Sequence, residues 1–214
     1  MPGEVPDRVF VYRIVHFENL PGIIEEGGIW CGGEMASRDL PYKQIGLQDL
    51  TTNRQNKAVP INPGGNLSEY VPFHFCPRSV MLYQIHTGRV PTYLDGQEPV
   101  VHIVSSVEKV QELEIPFVFT DRHAKTTLAE FYNQGNDLAQ LDWDVIRSRN
   151  FAKTDSDPDR SERKGAEFLV KEFLPVHAIL GIGVINDKWK TDCDEVLRAA
   201  GVNLKATKMT GWYF

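Results

Sequence analysis

The stretch Ala166-Glu167-Phe168-Leu169-Val170 places a single carboxylate inside an otherwise apolar run. Aromatic and β-branched residues favour a strand in this stretch. An ionised carboxylate loses its hydration in dry surroundings, so it needs a partner or a function there. Glu167 is therefore either a functional residue or a residue on the wet face of an edge strand, with Lys171 two pleats further along the same face. The stretch alone supports both interpretations.

The composition of the chain limits what the protein can bind. Its 214 residues include 42% hydrophobic residues, which suffices for one core, so we predict a single domain over residues 1–214. The net charge of -6 argues against a non-specific DNA coat or a membrane-surface protein with a wholly basic face. A local basic groove remains compatible with this charge, because the number of neutralised phosphates sets the electrostatic binding of nucleic acid.

The cysteines and the first residues bear on the compartment. Three cysteines lie far apart in the chain, so they give no disulfide framework and no paired zinc ligands. The start of the chain lacks the basic and apolar parts of a signal peptide, and no apolar run reaches the length of a membrane span. We therefore expect a soluble, cytoplasmic protein that does not bind membranes.

Hydrophobic periodicity and turn residues predict an α+β fold with a mixed, largely antiparallel sheet. The predicted strands are residues 9–16, 70–76, 80–86, 100–104, 116–119, 166–170, 178–185 and 203–209. The predicted helices are a short one capped by Asn19, one over about residues 121–132, one over 143–149 capped by Asp142, and one over 191–200 stopped by Gly201. Residues 32–66 read as a long irregular segment with one short helix near residues 47–56.

Several common kinds of site are absent from the sequence. No Gly-x-Gly-x-x-Gly follows a strand, which excludes Rossmann and P-loop nucleotide binding. The six histidines show no spacing with cysteines or acids that suits a metal, so we predict no metal site. No Gly-x-Ser-x-Gly motif marks a hydrolase. The remaining candidates are polar residues at strand ends and on loops, and each alone has a plain structural explanation; Arg54, for example, reads as a solvated loop residue.

Together, four blocks resemble the DarT family of DNA ADP-ribosyltransferase toxins in order and approximate spacing. The blocks are residues 11–16 (Val-Tyr-Arg-Ile-Val-His, followed by Asn19-Leu20), residues 70–83 (Tyr-Val-Pro-Phe-His-Phe-Cys-Pro-Arg-Ser-Val-Met-Leu-Tyr), residues 116–124 (Pro-Phe-Val-Phe-Thr-Asp-Arg-His-Ala) and residues 166–170. The two middle blocks are long and specific. The resemblance covers nearly the whole chain.

The resemblance implies an ADP-ribosyltransferase fold, in which a mixed, split β core surrounds an NAD cleft. It implies that NAD is a substrate, that ADP-ribose passes to a base of single-stranded DNA, most often thymine with a guanine-modifying branch, and that a macrodomain-type antitoxin is a partner. Three alternatives stay open: the same fold with a protein or RNA acceptor, an RNA 2'-phosphotransferase, and a non-catalytic nucleic-acid binder.

The resemblance also implies roles for residues. Glu167 matches the catalytic glutamate, which would stabilise positive charge on the ribose as nicotinamide leaves, and Arg54 matches the catalytic arginine. Glu167 or a close neighbour would take the proton of the incoming base. The expected NAD contacts are Tyr12, Arg13, His16, Asn19, Arg54, Ser79 and Tyr83. The expected DNA contacts are Arg78, Arg122, His123, Arg160 and Arg163, with residues 153–164 presenting the DNA. Several family members carry histidine where this chain has Arg13, so the choice between Arg13 and His16 as the NAD contact stays open.

Overall fold

The computed structural model describes residues 3–47 and 54–214, and an eight-stranded sheet organises them. The strands are β1 (Phe10–His16), β2 (Gly28–Trp30), β3 (Tyr70–His74), β4 (Val100–Ser106), β5 (Phe117–Thr120), β6 (Phe131–Tyr132), β7 (Glu167–Lys171), β8 (Phe173–Pro175), β9 (Gly181–Val184) and β10 (Ala206–Lys208). Their order in the main sheet is β10-β9-β4-β1-β3-β7-β5-β6, while β2 and β8 pair separately. Only the pairing of β9 with β10 is parallel among these strands, so the predicted mixed, largely antiparallel sheet is confirmed.

Short helices surround the sheet. In the described residues they are α1 (Leu20–Glu25), α2 (Gly32–Ser37), α3 (Val80–His86), α4 (Val107–Glu112), α5 (Trp143–Arg147), α6 (Arg160–Lys164) and α7 (Asp187–Ala199). The predicted cap of α5 is confirmed, because the Asp142 side chain accepts from Val145 N. Gly201 follows α7 with φ of 67°, a conformation that favours glycine and ends the helix. None of the helices in the described ranges combines the length and the apolar character that crossing a membrane requires.

The main sheet is split between β1 and β3. Strand β1 pairs with β4 at seven positions, whereas it pairs with β3 at the single position Tyr12↔His74. Beside this position Arg13 Nη1 donates to the carbonyl oxygen of Pro72 at 3.1 Å. The sheet thus consists of two half-sheets, β10-β9-β4-β1 and β3-β7-β5-β6, which separate on either side of one shared pair.

The two faces of the sheet have different cores. One face carries the main core, to which Val11, Phe73 and Phe168 contribute. The opposite face carries two smaller cores, one that includes Ile14 and Leu82 and one that includes Val118 and Leu169. A row of polar side chains lies between these two smaller cores, described below.

Two predicted elements differ from the structure. Residues 80–86 form the helix α3 and not a strand: the Ser79 hydroxyl accepts from Leu82 N, and Leu82 and Ile85 are buried three residues apart on one helix face. Residues 121–132 form no helix, because Asp121 Oδ1 accepts from Glu130 N at 3.0 Å and closes a turn into β6.

Two further predictions concern the cap of α1 and a helix before β3. The Asn19 side chain makes no capping bond at the start of α1, so its predicted role as a cap is wrong. The helix predicted near residues 47–56 falls largely on residues 48–53, which lie outside the described residues.

Candidate active site

Three side chains form a polar row across the split. Tyr12 is paired with His74, and His74 is paired with Glu167. Directly paired residues on antiparallel strands point to the same face, so the three side chains lie next to one another on the face with the two smaller cores. The row extends to β5, since Glu167 N donates to Thr120 Oγ1 at 3.2 Å.

Glu167 is buried and holds three hydrogen-bond donors. Only 1% of the residue is exposed. Its Oε2 accepts from Arg54 Nη1 at 2.9 Å, and its Oε1 lies 3.1 Å from Ala124 N and 2.8 Å from His123 Nδ1. Strand β7 lies between β3 and β5, so the interpretation of Glu167 as a wet edge-strand residue is wrong.

The donors determine the charge of Glu167. Burial raises the pKa of the Glu167 carboxyl, but the charge of Arg54 and the hydrogen bond from His123 lower it by more, so the net pKa lies well below its usual range. Glu167 is therefore ionised at pH 7.

The same contacts determine the proton position on His123. An ionised carboxylate only accepts hydrogen bonds, so His123 Nδ1 carries a proton and donates it to Glu167 Oε1 at 2.8 Å, in preference to accepting from Lys125 N at 3.4 Å. In the neutral ring, Nε2 then has a free lone pair. The His123 side chain is 38% exposed, so this nitrogen belongs to a ring that a ligand can reach.

Arg54 has capacity for a second partner. Its backbone is helical, and its side chain is 17% exposed beside Glu167. While Nη1 binds the carboxylate, Nη2 is buried and has no hydrogen-bond partner among the described residues. A guanidinium fork can hold two acceptors at once, so the free nitrogen is available to a phosphate or carbonyl oxygen.

His74 is a central residue of the site that the sequence did not single out. It is half-buried and Nδ1 has no partner among the described residues. Burial is the main cause that lowers the pKa of His74 to about 4, so the ring is neutral at pH 7. The alternation of side chains along β3 could have indicated the face of the sheet on which His74 lies. The pairing of His74 with Glu167, however, depends on a strand register that the sequence does not reveal.

The predicted NAD contacts divide into two groups. Arg13 lies at the split with a buried Nε that has no partner in the described residues, and Tyr12 lies in the polar row. His16 has both ring nitrogens near other groups: Nδ1 accepts from Glu18 N at 3.1 Å, and Nε2 lies 3.5 Å from Asp95. Arg13 thus retains binding capacity that His16 lacks.

The other predicted NAD contacts have structural partners. The side chain of Asn19 bonds the backbone N and O of Lys43, at 2.7 and 2.9 Å, and so fixes the loop after α2. Ser79 is buried and caps α3, and Tyr83 lies within α3 beside Phe151.

Most predicted DNA contacts lie in an intramolecular ion-pair network. Arg122 binds Asp121 and Asp159, at 2.9 and 3.2 Å. Arg160 binds Asp157 at 2.9 Å, and Arg163 binds the three aspartates Asp142, Asp157 and Asp159. This network fastens the loop that precedes β7. In the ranges 3–47 and 54–214, no three His, Cys, Asp or Glu side chains converge in a way that could hold a metal ion.

A split mixed sheet with a buried glutamate bound to an arginine is the arrangement that the resemblance to ADP-ribosyltransferases implies. The family model described as DarT, an ssDNA thymidine ADP-ribosyltransferase, matches residues 12–214. The chain belongs to the DarT family, which confirms the resemblance seen in the sequence.

Individual relatives agree with this assignment. A DNA ADP-ribosyl transferase of Thermus aquaticus is 39% identical over 199 residues, which are 90% of this chain and 82% of the relative. The structure of Thermus sp. 2.9 DarT in complex with ADP-ribosylated ssDNA has a TM-score of 0.93 at 35% identity and covers 100% of both chains. The same DarT in complex with NAD+ has a TM-score of 0.87 at 34% identity and covers 99% of this chain and 100% of that one. The predicted fold is therefore confirmed.

Proposed function

We propose that this protein uses NAD to ADP-ribosylate a base of single-stranded DNA and releases nicotinamide. The observation that carries the proposal is the contact of Glu167 with both Arg54 and His123 on the face of the split sheet that carries the two smaller cores. Its relatives act on DNA or were solved with NAD+ and with ADP-ribosylated ssDNA. NAD supplies the ADP-ribosyl group and nicotinamide as the leaving group.

Three residues hold NAD in this proposal. Arg54 Nη2 and Arg13 Nε are buried donors without partners in the described residues, and an anionic dinucleotide offers the acceptors that such donors require. Tyr12 is the member of the polar row that precedes Arg13 on β1. Arg13, and not His16, is the contact on β1, because both ring nitrogens of His16 already face other groups.

Glu167 and His123 have different roles in the proposed reaction. Positive charge develops on the ribose as its bond to nicotinamide breaks and the bonding electrons leave with nicotinamide; the ionised Glu167 stabilises that charge. A carboxylate with a strongly lowered pKa is a poor base. The proton of the attacking base nitrogen therefore passes to His123 Nε2, while Glu167 holds the ring by Nδ1.

The proposed acceptor base, partner and compartment are those that the DarT family resemblance implies. Thymine is the favoured base and guanine is the alternative. A macrodomain-type antitoxin is the partner that removes the modification, and the cytoplasm is the compartment.

Mass spectrometry of oligonucleotides tests this function. Purified protein is mixed with NAD and mixed-sequence single-stranded DNA, and digestion of the product identifies the nucleoside that carries one added ADP-ribose. We expect the addition on thymidine. If the folded protein modifies only protein or RNA under the same conditions, the DNA assignment is wrong.

Two histidine variants test whether His123 accepts the proton. His123→Gln should lower kcat for transfer by about 10²- to 10⁴-fold, the range for loss of a general base, while the KM for NAD changes little. His177→Gln is the matched control, because His177 is exposed in the short helical turn that follows β8. An unchanged kcat for His123→Gln would exclude the proton transfer to His123.

A further inference from the structure

Two neighbouring cavities lie on the same side of the site. The first, of about 350 Å³, lies between β1, the segment after β3 and helix α5. The second, of about 480 Å³, lies between α3 and residues 149–153. Arg78 and Arg149 line both cavities, so the two adjoin, and we call them together the basic channel.

The lining of the basic channel is strongly positive although the chain carries a net charge of -6. Among the described residues that line it, no acidic side chain occurs. The first cavity is lined by Arg8, Arg78, Arg147, Arg149 and Lys164. The second adds Arg89 and Lys153. A concave surface with one sign of charge concentrates the opposite charge.

Arg78 and Arg149 lack the partners that neutralise other arginines. Neither ion-pairs with a carboxylate in the described part of the chain, in contrast to Arg122, Arg160 and Arg163. Arg78 Nε is buried with no hydrogen-bond partner there. Burial, and then the nearby charge of Arg149, lower the pKa of Arg78 from its ordinary value. Two close cations without an acid form a site for an anion.

The second cavity also has aromatic walls. The rings of Tyr83 and Phe151 lie 5.4 Å apart, and those of Tyr83 and Phe214 lie 5.1 Å apart. All three are half-buried, so they retain accessible surface. The Arg78 guanidinium lies 4.4 Å from the centre of the Phe214 ring. Cations interleaved with aromatic faces are the usual platform for single-stranded nucleic acid.

The basic channel opens next to the catalytic row. Tyr12 lines its first cavity and lies two strands from Glu167, which is about 10 Å at ordinary strand spacing. Lys164, on the opposite wall, precedes Glu167 by three residues. A DNA strand whose base reaches Glu167 therefore has a positively charged path beside it in the channel.

We propose that the basic channel binds the single-stranded DNA that flanks the target base, with Arg78 and Arg149 neutralising its phosphates and Phe151 stacking against a flanking base. This inference rests on the proposed function. It assigns the phosphate contacts to Arg78 and Arg149 and not to Arg122, Arg160 and Arg163, whose charges are matched by aspartates.

Binding measured without turnover tests the channel. In a Glu167→Gln background, fluorescence anisotropy of a labelled oligonucleotide is measured at several salt concentrations. Arg149→Gln should weaken binding and reduce the slope of log K against log salt by about 0.7, the value for one phosphate of a single strand. Phe151→Ala should weaken binding about 5- to 150-fold, as loss of one stacked base does. Phe151→Leu is the variant to use if alanine disturbs the fold.

The matched control is Arg198→Gln, because Arg198 is an exposed arginine on α7. This control should keep the affinity and the salt slope of the parent. The proposal is overturned if Arg149→Gln also keeps both, or if Arg149→Gln loses no more affinity than Arg198→Gln.

A second measurement separates DNA phosphates from those of NAD. The dissociation constant for NAD is measured by calorimetry for the parent and for Arg149→Gln. Loss of NAD affinity by the same factor as DNA affinity would assign the channel to the NAD pyrophosphate and overturn the proposal. If the wild-type protein modifies no oligonucleotide but the channel variants still lose DNA binding, the proposed function fails and the channel stands.

Discussion

Glu167 is held ionised by donors from two other segments of the chain. Arg54 comes from the segment before β3, His123 and the Ala124 N–H come from the turn after β5, and Glu167 itself begins β7. This arrangement is set before substrate binds, so the charge needs no reorganisation during the reaction. The sequence could suggest Glu167 and Arg54 through the family resemblance, but the contact between them spans 113 positions and has no local signal.

Glu167→Gln should remove activity and some stability. The amide keeps the size of the side chain but not its charge, so we expect transfer to fall by at least about 10²- to 10³-fold. Because Arg54 is left partly buried without its partner, the free energy of unfolding should drop by up to about 3 kcal/mol. Single-turnover transfer and urea unfolding measure the two effects.

Glu69→Gln is the matched control for Glu167→Gln. Glu69 pairs with Lys171, also on β7, but its side chain is 40% exposed. Glu69→Gln should leave the rate of ADP-ribosyl transfer close to that of the wild type. Wild-type transfer by Glu167→Gln would contradict the role of the carboxylate.

Helix α3 shows what an element-level prediction can and cannot obtain from sequence. The β-branched and aromatic residues within 80–86 favoured a strand, yet Ser79 at the cap and the three-residue spacing of Leu82 and Ile85 indicated a helix. The helix predicted over residues 121–132 was wrong for another reason. The hydrogen bond between Asp121 and Glu130 closes a turn across nine positions, and local helix propensity gives no information about such a closure. Helix α5 was predicted correctly because Asp142 and its partner are local.

Ser79→Ala should lower stability by about 1 kcal/mol, because the cap of α3 is lost. Ser106→Ala removes an equivalent cap from α4, where Ser106 accepts from Lys109 N, so both variants should unfold at similar urea concentrations. The KM for NAD separates them. A rise in this KM for Ser79→Ala alone would support Ser79 as an NAD contact, and equal values would restrict Ser79 to capping.

Gly165→Ala should reduce activity through His123. A methyl group at Gly165 would lie 3.2 Å from His123 Cβ and 3.2 Å from the Glu162 carbonyl oxygen, so His123 must shift by a few tenths of an ångström. We expect kcat to fall about tenfold, since small displacements of catalytic groups are costly. Gly22→Ala in α1, with no atom within 4 Å of the new methyl, should keep full activity and gain stability. Equal kcat values would show that His123 tolerates the shift.

At the scale of the whole molecule, two histidines make the fold sensitive to acid. Burial lowers the pKa of both His74 and His102 to about 4. Their pKa in the unfolded chain is about 6.5, so between pH 6.5 and 4 the unfolded state binds more protons than the folded state. Stability should therefore fall with decreasing pH across this window, by about 1 kcal/mol per pH unit for each histidine, and these groups add no further loss below pH 4.

Urea unfolding between pH 7.5 and 4 checks this dependence. His74→Gln is the variant of choice, because His74 Nδ1 has no partner to lose in the described residues. We expect the free energy of unfolding of this variant to fall less steeply with decreasing pH than that of the wild type. The difference should be about 1 kcal/mol per pH unit, the contribution of one histidine. Equal slopes would mean that His74 titrates normally in the folded protein.

The split sheet also constrains when the enzyme becomes complete during its synthesis. Strands of the two half-sheets alternate along the chain: β1, β4, β9 and β10 belong to one, and β3, β5, β6 and β7 belong to the other. No contiguous piece of the polypeptide therefore contains one half-sheet alone. A ribosome-bound chain that stops before β9 lacks one of the two partners of β4, although it already contains Arg54, His123 and Glu167. Premature termination before β9 should therefore leave fragments that carry the reactive residues but expose one edge of β4.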